Sequence, residues 1–202
     1  MKLPKHLGGN PNRKRKPAHV DLGIYRYIRK NYFTDKDRII TIDLGCGPGE
    51  MTKAINAEGD CCVGLDGDPI SIERGTLRNN MDFIQTDFTT QPIKAGQWIP
   101  DFVWSVEFLE HVEEKYIENF WHIFDSARCA FITAAQPGQR GWHHVNCQPK
   151  EYWIGLFKDS GFIFNHKENE RAISNSTLPR DTSGKWADKP TVIERNGMFF
   201  YK

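Results

Sequence analysis

The stretch Arg38-Ile-Ile-Thr-Ile-Asp-Leu-Gly-Cys-Gly-Pro-Gly49 decides the fold. Its first half is apolar and β-branched without alternation, the pattern of a strand buried on both faces. Its second half places glycine at 45, 47 and 49, where the backbone can turn tightly and approach a ligand closely. Glu50 to Ala57 then reads as a helix, so the stretch is a strand, a glycine loop and a helix in succession.

Working outward, further strands are predicted at Cys61–Asp66, Asp82–Asp87, Asp101–Glu107, Arg128–Ala134 and Phe162–Asn165. A last strand is expected within Thr191–Lys202, with Asn196-Gly197 as a hairpin turn. Between them lie helical stretches. Val20, Ile24, Tyr27 and Ile28 form one stripe of a helix reaching about Tyr32. Others are expected from Ile70 to Asn79 behind Pro69, from Glu113 to Ser126, and from Pro149 to Asp159, closed by Gly161. Residues 89–100 and 136–142 are loops, and 170–190 is a polar excursion. Strands alternating with helices predict an α/β three-layer αβα sandwich around a mostly parallel sheet.

The chain of 202 residues suits one domain, 18–202, preceded by an arm. Hydrophobic residues at 39% exclude wholesale disorder, and no apolar run approaches the ~20 residues of a membrane-spanning helix. The formal net charge of +1 hides a division. Residues 1–17 carry Lys2, Lys5, Arg13, Lys14, Arg15 and Lys16 with no acidic residue, so the body carries −5. The arm is either a solvated, flexible terminus or a contact for a polyanion such as RNA. Five cysteines, an odd number without a CxxC pair, argue against a disulfide framework or a zinc site. They fit the reducing cytoplasm.

Open parallel sheets bind ligands at the carboxyl ends of their strands. A dinucleotide fingerprint needs glycine at position 50, which is Glu, and that carboxylate would oppose a pyrophosphate at the helix start. After the second strand, Asp66-Gly67 can accept hydrogen bonds from ribose hydroxyls. After the third, Asp87-Phe88 offers an acceptor beside an aromatic face. Each Asp alone is equally a helix cap or turn residue; three consecutive strand ends carrying them argue for a nucleoside.

The set Ile42-Asp-Leu-Gly-Cys-Gly-Pro-Gly49, Gly-Leu-Asp66, Gln-Thr-Asp87, Ser-Val-Glu-Phe-Leu-Glu-His-Val112 and His144-Val-Asn-Cys-Gln-Pro-Lys-Glu-Tyr-Trp153 resembles the class I S-adenosylmethionine-dependent methyltransferases, which are Rossmann-like. The resemblance implies a seven-stranded sheet of order 3-2-1-4-5-7-6 with strand seven antiparallel. It implies that Asp43 and the loop of Gly45, Cys46, Gly47 and Gly49 hold the methionine end of the cofactor. Asp66 and Gly67 would then meet the ribose, Asp87 and Phe88 the adenine, and Glu107 the sulfonium.

Glu107, Glu110, His111 and His144 resemble a divalent-metal cluster in some members of that superfamily, with Mg as one candidate ion. Against this, Glu110 suits a helix start and His111 suits simple packing. His143 and His144, and His111 with them, are the candidate bases; a loop histidine bonded to a backbone carbonyl is the other reading. Trp142, Tyr152 and Trp153 are candidates for an aromatic acceptor pocket or for core packing. The expected activity is methyl transfer to oxygen or nitrogen, on a small molecule or sugar. Metal-assisted 2′-O transfer to RNA and a non-catalytic cofactor-binding partner subunit are the alternatives.

Overall fold

The structure, a computed structural model, describes residues 6–7, 19–68, 83–90, 92–93, 99–180 and 189–202. The helix expected at 70–79 and most of the basic arm lie outside these residues. The strands are β1 (Ile40–Leu44), β2 (Cys61–Asp66), β3 (Phe83–Gln85), β4 (Phe102–Ser105), β5 (Cys129–Ile132), β6 (Ile163–Phe164) and β7 (Met198–Tyr201). They form one sheet of order β3-β2-β1-β4-β5-β7-β6. β7 runs antiparallel to β5 and β6, and every other pairing is parallel. That is the expected class and order.

Strands buried on both faces explain the missing alternation. In β4, Val103 enters one core while Phe102 and Trp104 enter the other; in β7, Phe200 and Phe199 divide the same way. Helices α1 (Leu22–Tyr32) and α2 (Glu50–Ala57) supply Ile24, Ile28, Met51 and Ile55 to one face. Helices α3 (Glu118–Ser126) and α4 (Lys150–Asp159) supply Phe120, Phe124, Trp153 and Phe157 to the other. Each such aromatic contributes roughly 1.5–3 kcal/mol on full burial. Phe157 stacks on Phe200 with centroids 4.0 Å apart. Asp60 locks α1 to the amino ends of β1 and β2, accepting bonds from Tyr25 Oη at 2.6 Å, Arg29 Nε at 3.0 Å and the Ile39 amide at 2.8 Å.

Three expectations need correction. Residues 170–174 are not part of a loop excursion: they belong to α5 (His166–Ser174), whose N-terminus is capped by Asn165 accepting from the amides of Lys167 and Glu168. Asn196-Gly197 is not a hairpin turn. Thr191 and Glu194 form a capping box that starts α6 (Val192–Asn196), and Gly197 leaves it with φ −61°, outside the region such a turn requires. Its missing side chain is nonetheless needed, because a Cβ there would stand 2.5 Å from the Ile193 carbonyl oxygen. The helix expected from Glu113 begins as a single 3-10 turn, Glu114–Tyr116, before α3; another 3-10 turn spans Leu109–His111. Among the described residues no helix is long and apolar enough to cross a membrane.

Candidate active site

The glycine loop leaves β1 with the Gly45 and Cys46 amides donating to the Leu65 carbonyl at 2.8 and 3.1 Å. Gly45 has φ +78°, and a Cβ there would lie 2.4 Å from the Phe108 side chain. Gly47 also has positive φ, but nothing lies within 4 Å of where its Cβ would be. The loop is thus braced at Gly45 and open at Gly47. Cys46 is buried with its sulfur against Gly64, and burial raises its pKa well above the usual thiol range. Its side chain packs; only its backbone belongs to the loop surface.

Three carboxylates lie under or beside this loop. Asp43 is 3% exposed and accepts from Thr52 Oγ1 at 2.6 Å, fastening β1 to α2. Burial, with Asp66 and Glu50 nearby, pushes its pKa up to about 7. Asp66 accepts from the Gly47 amide at 2.7 Å and the Asp68 amide at 2.8 Å, and burial raises its pKa too. Asp87 accepts from Thr89 through both amide and hydroxyl; despite burial, those bonds and the nearby His6 hold its pKa below the usual value. Phe88 is in the core, edge to face with Phe108 and Phe120, with 5% of its surface left for any ligand.

The basic arm touches this region. His6 Nε2 lies 3.4 Å from Asp87 Oδ2, and a Cβ on Gly67 would meet the Leu7 side chain at 3.2 Å. These are the described residues of the arm; both lie against the expected nucleoside end, with His6 exposed.

The second cluster begins at the end of β4, the neighbour of β1. Glu107 adopts φ +56°, a left-handed conformation that costs a non-glycine residue about 1–2 kcal/mol. Thr133 at the end of β5 holds it, accepting from the Glu107 amide at 2.8 Å and donating to its carboxylate at 3.3 Å. Glu110 is fully buried, and no donor reaches either carboxylate oxygen with good hydrogen-bond geometry, although its own amide, the Ala135 amide and the Glu107 carboxyl lie close to it. Burial, then the charge of Glu107, raises its pKa well above the usual carboxylate value. A buried, unbonded carboxylate is costly unless something pairs with it.

The loop after β5 arrives beside it. The Val145 and Asn146 amides donate to the Glu110 carbonyl at 2.9 and 3.1 Å. His111 Nδ1 faces the His143 carbonyl at 3.3 Å, and His144 Nδ1 faces the Gln139 carbonyl at 3.0 Å. Carbonyls only accept, so each Nδ1 carries a proton, and in the neutral ring Nε2 then keeps its lone pair. Metal-ligating histidines are oriented in this way. Burial and His144 lower the His111 pKa to about 4, leaving it neutral.

Among the described residues, ligand atoms of Glu110, His111 and His144 lie within 4.8 Å of one another, a set that could hold a metal ion. Glu107 faces the Glu110 carboxyl but is outside that set. Of the aromatics, Trp153 is fully buried in the core, Tyr152 donates to Glu114 at 2.8 Å, and Trp142 is 37% exposed beside His143. Sequence reasoning did not single out Thr133, Gln139, Gly141 or Asn196. Thr133 could have been found from its place at a strand end. The other three carry no local signal.

The sequence model of the family described as a methyltransferase domain matches residues 18–162. The chain belongs to that family. No curated protein matches it. Among solved structures, a methyltransferase from an antibiotic biosynthesis pathway of Anabaena variabilis is similar at 14% identity and TM-score 0.53, covering 73% of this chain and 65% of that one. This chain therefore spans just under two thirds of that relative's length. The plantazolicin methyltransferase BpumL in complex with SAH gives TM-score 0.59 at 14% identity, over 89% of this chain and 81% of that one. A Haloferax volcanii methyltransferase in complex with the Trm112 activator gives 0.58 at 15% identity, over 88% and 86%. The fold is that of the class I S-adenosylmethionine-dependent methyltransferases.

Proposed function

We propose that this protein transfers the methyl group of S-adenosylmethionine to an oxygen or nitrogen of a small molecule or sugar, with a divalent metal at Glu110, His111 and His144. The observation that carries the reading is the buried Glu110 carboxylate, without a hydrogen bond of good geometry, grouped with the His111 and His144 imidazoles one strand away from an open glycine loop.

S-adenosylmethionine supplies an electrophilic methyl group on a sulfonium, displaced in line by the acceptor. The residues present suit it. The backbone at Gly47 is open to close approach, and Asp43 and Asp66, whose ionised forms burial disfavours, gain from a cation placed beside the loop. Asp66 retains lone pairs for ribose hydroxyls, and Asp87 for an adenine amino group once His6 shares or leaves it. Cys46 and Phe88 contribute packing, and Glu107, held by Thr133, closes the site toward the sulfonium.

A divalent ion supplies Lewis-acid polarisation of an acceptor hydroxyl. Two imidazoles and one carboxylate suit Mn, Co or Zn better than Mg, which prefers oxygen ligands. This donor set argues against the Mg expected from sequence. With His111 and His144 as ligands, His143 is the imidazole left to take the acceptor's proton. Cysteines that are all thiols fit a cytoplasmic setting.

A turnover screen with labelled donor over metabolite, glycan and RNA pools, with and without EDTA, tests the reading. Metal-dependent labelling of a small acceptor is the expected result. Labelling of RNA would favour the second reading, which rests on the contact of His6 and Leu7 with the nucleoside end, since the arm's lysines and arginines flank them in sequence. Cofactor binding without any turnover would mark a non-catalytic partner subunit.

A further inference from the structure

Resting on the reading that His144 works at this site, we infer that Gln139 and Asn196 are positioning residues that fix the His144 imidazole. Among the described residues, His144 Nδ1 bonds a backbone carbonyl in a tight turn, Gln136-Pro-Gly-Gln139, closed by the Gln139 amide donating to the Gln136 carbonyl at 3.0 Å. Gly138 holds φ +86° in that turn, and Pro137, Gly138 and Arg140 are exposed. A surface turn of this kind does not hold a carbonyl still by itself.

Asn196 does. It is 1% exposed at the C-terminal end of α6, immediately before β7. Its Nδ2 donates to Gln139 Oε1 at 2.9 Å, while its Oδ1 accepts from Gln139 Nε2 at 3.0 Å and Gln136 Nε2 at 3.2 Å. Gln139 Oε1 also accepts from the Gln136 amide at 3.1 Å. The buried carboxamide therefore spends its hydrogen bonds on the loop that carries the His144 acceptor. From the other side, Gly141 lies against the imidazole: a Cβ on it would stand 2.0 Å from Nε2, 2.2 Å from Cε1 and 2.5 Å from Cδ2. Those near-equal distances put Gly141 over the ring face, not on the Nε2 lone-pair axis. The chain of contacts runs from Asn196 through the Gln139 side chain and carbonyl to His144 Nδ1–H, and leaves Nε2 presented to the cluster. A free histidine ring prefers its proton on Nε2, so this tautomer exists only while the carbonyl is held in place.

The test uses the full chain with Asn196→Ala and, because Asn196 is buried, Gln139→Ala on the half-exposed turn as the second variant. Nitrogen-15 NMR reads the His144 tautomer, calorimetry reads Mn(II) binding, and S-adenosylhomocysteine binding reports the integrity of the rest. Expected are an Nδ1–H tautomer in the parent chain, its loss in both variants, and Mn(II) affinity weakened by about 10–100-fold, with S-adenosylhomocysteine affinity unchanged. If Asn196→Ala does not fold, Gln139→Ala decides. An unaltered tautomer and Mn(II) affinity in a folded variant would overturn the inference, as would an Nε2–H tautomer in the parent. If the parent binds no Mn(II), the metal reading fails while the tautomer still judges the positioning role.

Discussion

His111 and His144, 33 residues apart in sequence, stand edge to face with ring centroids 5.1 Å apart. Each is turned by a backbone carbonyl so that Nε2 keeps its lone pair. Glu110 lies beside them, and neither of its oxygens has a hydrogen bond of good geometry. Burying such a carboxylate costs stability, and the consequences of that, and of the proposed metal site, can be measured.

Glu110→Gln should separate the two. A folded carboxyl pKa raised by burial means that the ionised form weakens the fold at neutral pH. The amide removes that charge, so the metal-free Tm should rise near neutral pH while Mn(II) binding and metal-dependent turnover are lost. Thermal scans beside calorimetry check both; a lowered Tm would mean that the carboxylate is paired after all.

Gly141→Ala places a methyl group against the His144 ring. Turnover should drop by about tenfold or more, as when an orienting contact of a metal ligand is lost, while S-adenosylhomocysteine affinity stays unchanged. Steady-state kinetics and calorimetry on the same preparation decide it.

Asp43 sets a pH dependence. Burial pushes its pKa from the ordinary aspartate value of 3.8 up to about 7. Between those values the folded chain keeps a proton that the unfolded chain has released. Its stabilising contribution is therefore complete below the lower value and is lost as pH rises through the upper one. His111 acts oppositely: its pKa falls from 6.5 to about 4, so stability is lost as pH drops through that range. Above the imidazole range Asp43 acts without that opposition. Cofactor-free Tm should fall as pH rises from about 6.5 through about 7, and Asp43→Asn should reduce that slope, Glu110 contributing in the same direction.

Gly45→Ala combines a left-handed φ with overlap on Phe108. Denaturant titration should show a loss of about 2–4 kcal/mol, from backbone strain and overpacking together. Loss of S-adenosylhomocysteine binding should accompany it.

The fold was legible because strands buried on both faces announce themselves: Ile39–Leu44 and Phe102–Val106 have no polar alternation, and their order follows from the family resemblance. Elements ending in polar residues were harder. Asn165 and the Thr191–Glu194 box cap helices where a strand end and the segment of the last strand were expected, because a capping residue looks the same in sequence as a strand-end or turn residue. In the site, Asp66 and Asp87 were found from their place at strand ends and Asp43 and Glu107 from the resemblance, while Thr133, also at a strand end, was not. Gln139 and Asn196 were not, since two amides 57 residues apart acquire meaning only when the turn and α6 meet. Phe88 shows the converse limit: an aromatic after a strand-end Asp reads as a ligand platform, but in the structure its ring is packed against Phe108 and Phe120. The arm's charge was visible, yet nothing in it foretold that His6 would reach Asp87.

The central claim is that this chain binds S-adenosylmethionine through the loop between β1 and β2 and uses it. Calorimetry of S-adenosylhomocysteine against the full chain and Asp66→Ala tests it most directly. One site per chain should be seen, weakened by about 10–100-fold when the Asp66 carboxylate is removed, the worth of one to two hydrogen bonds to a charged acceptor. No binding by the intact chain, or binding indifferent to Asp66, would contradict the account.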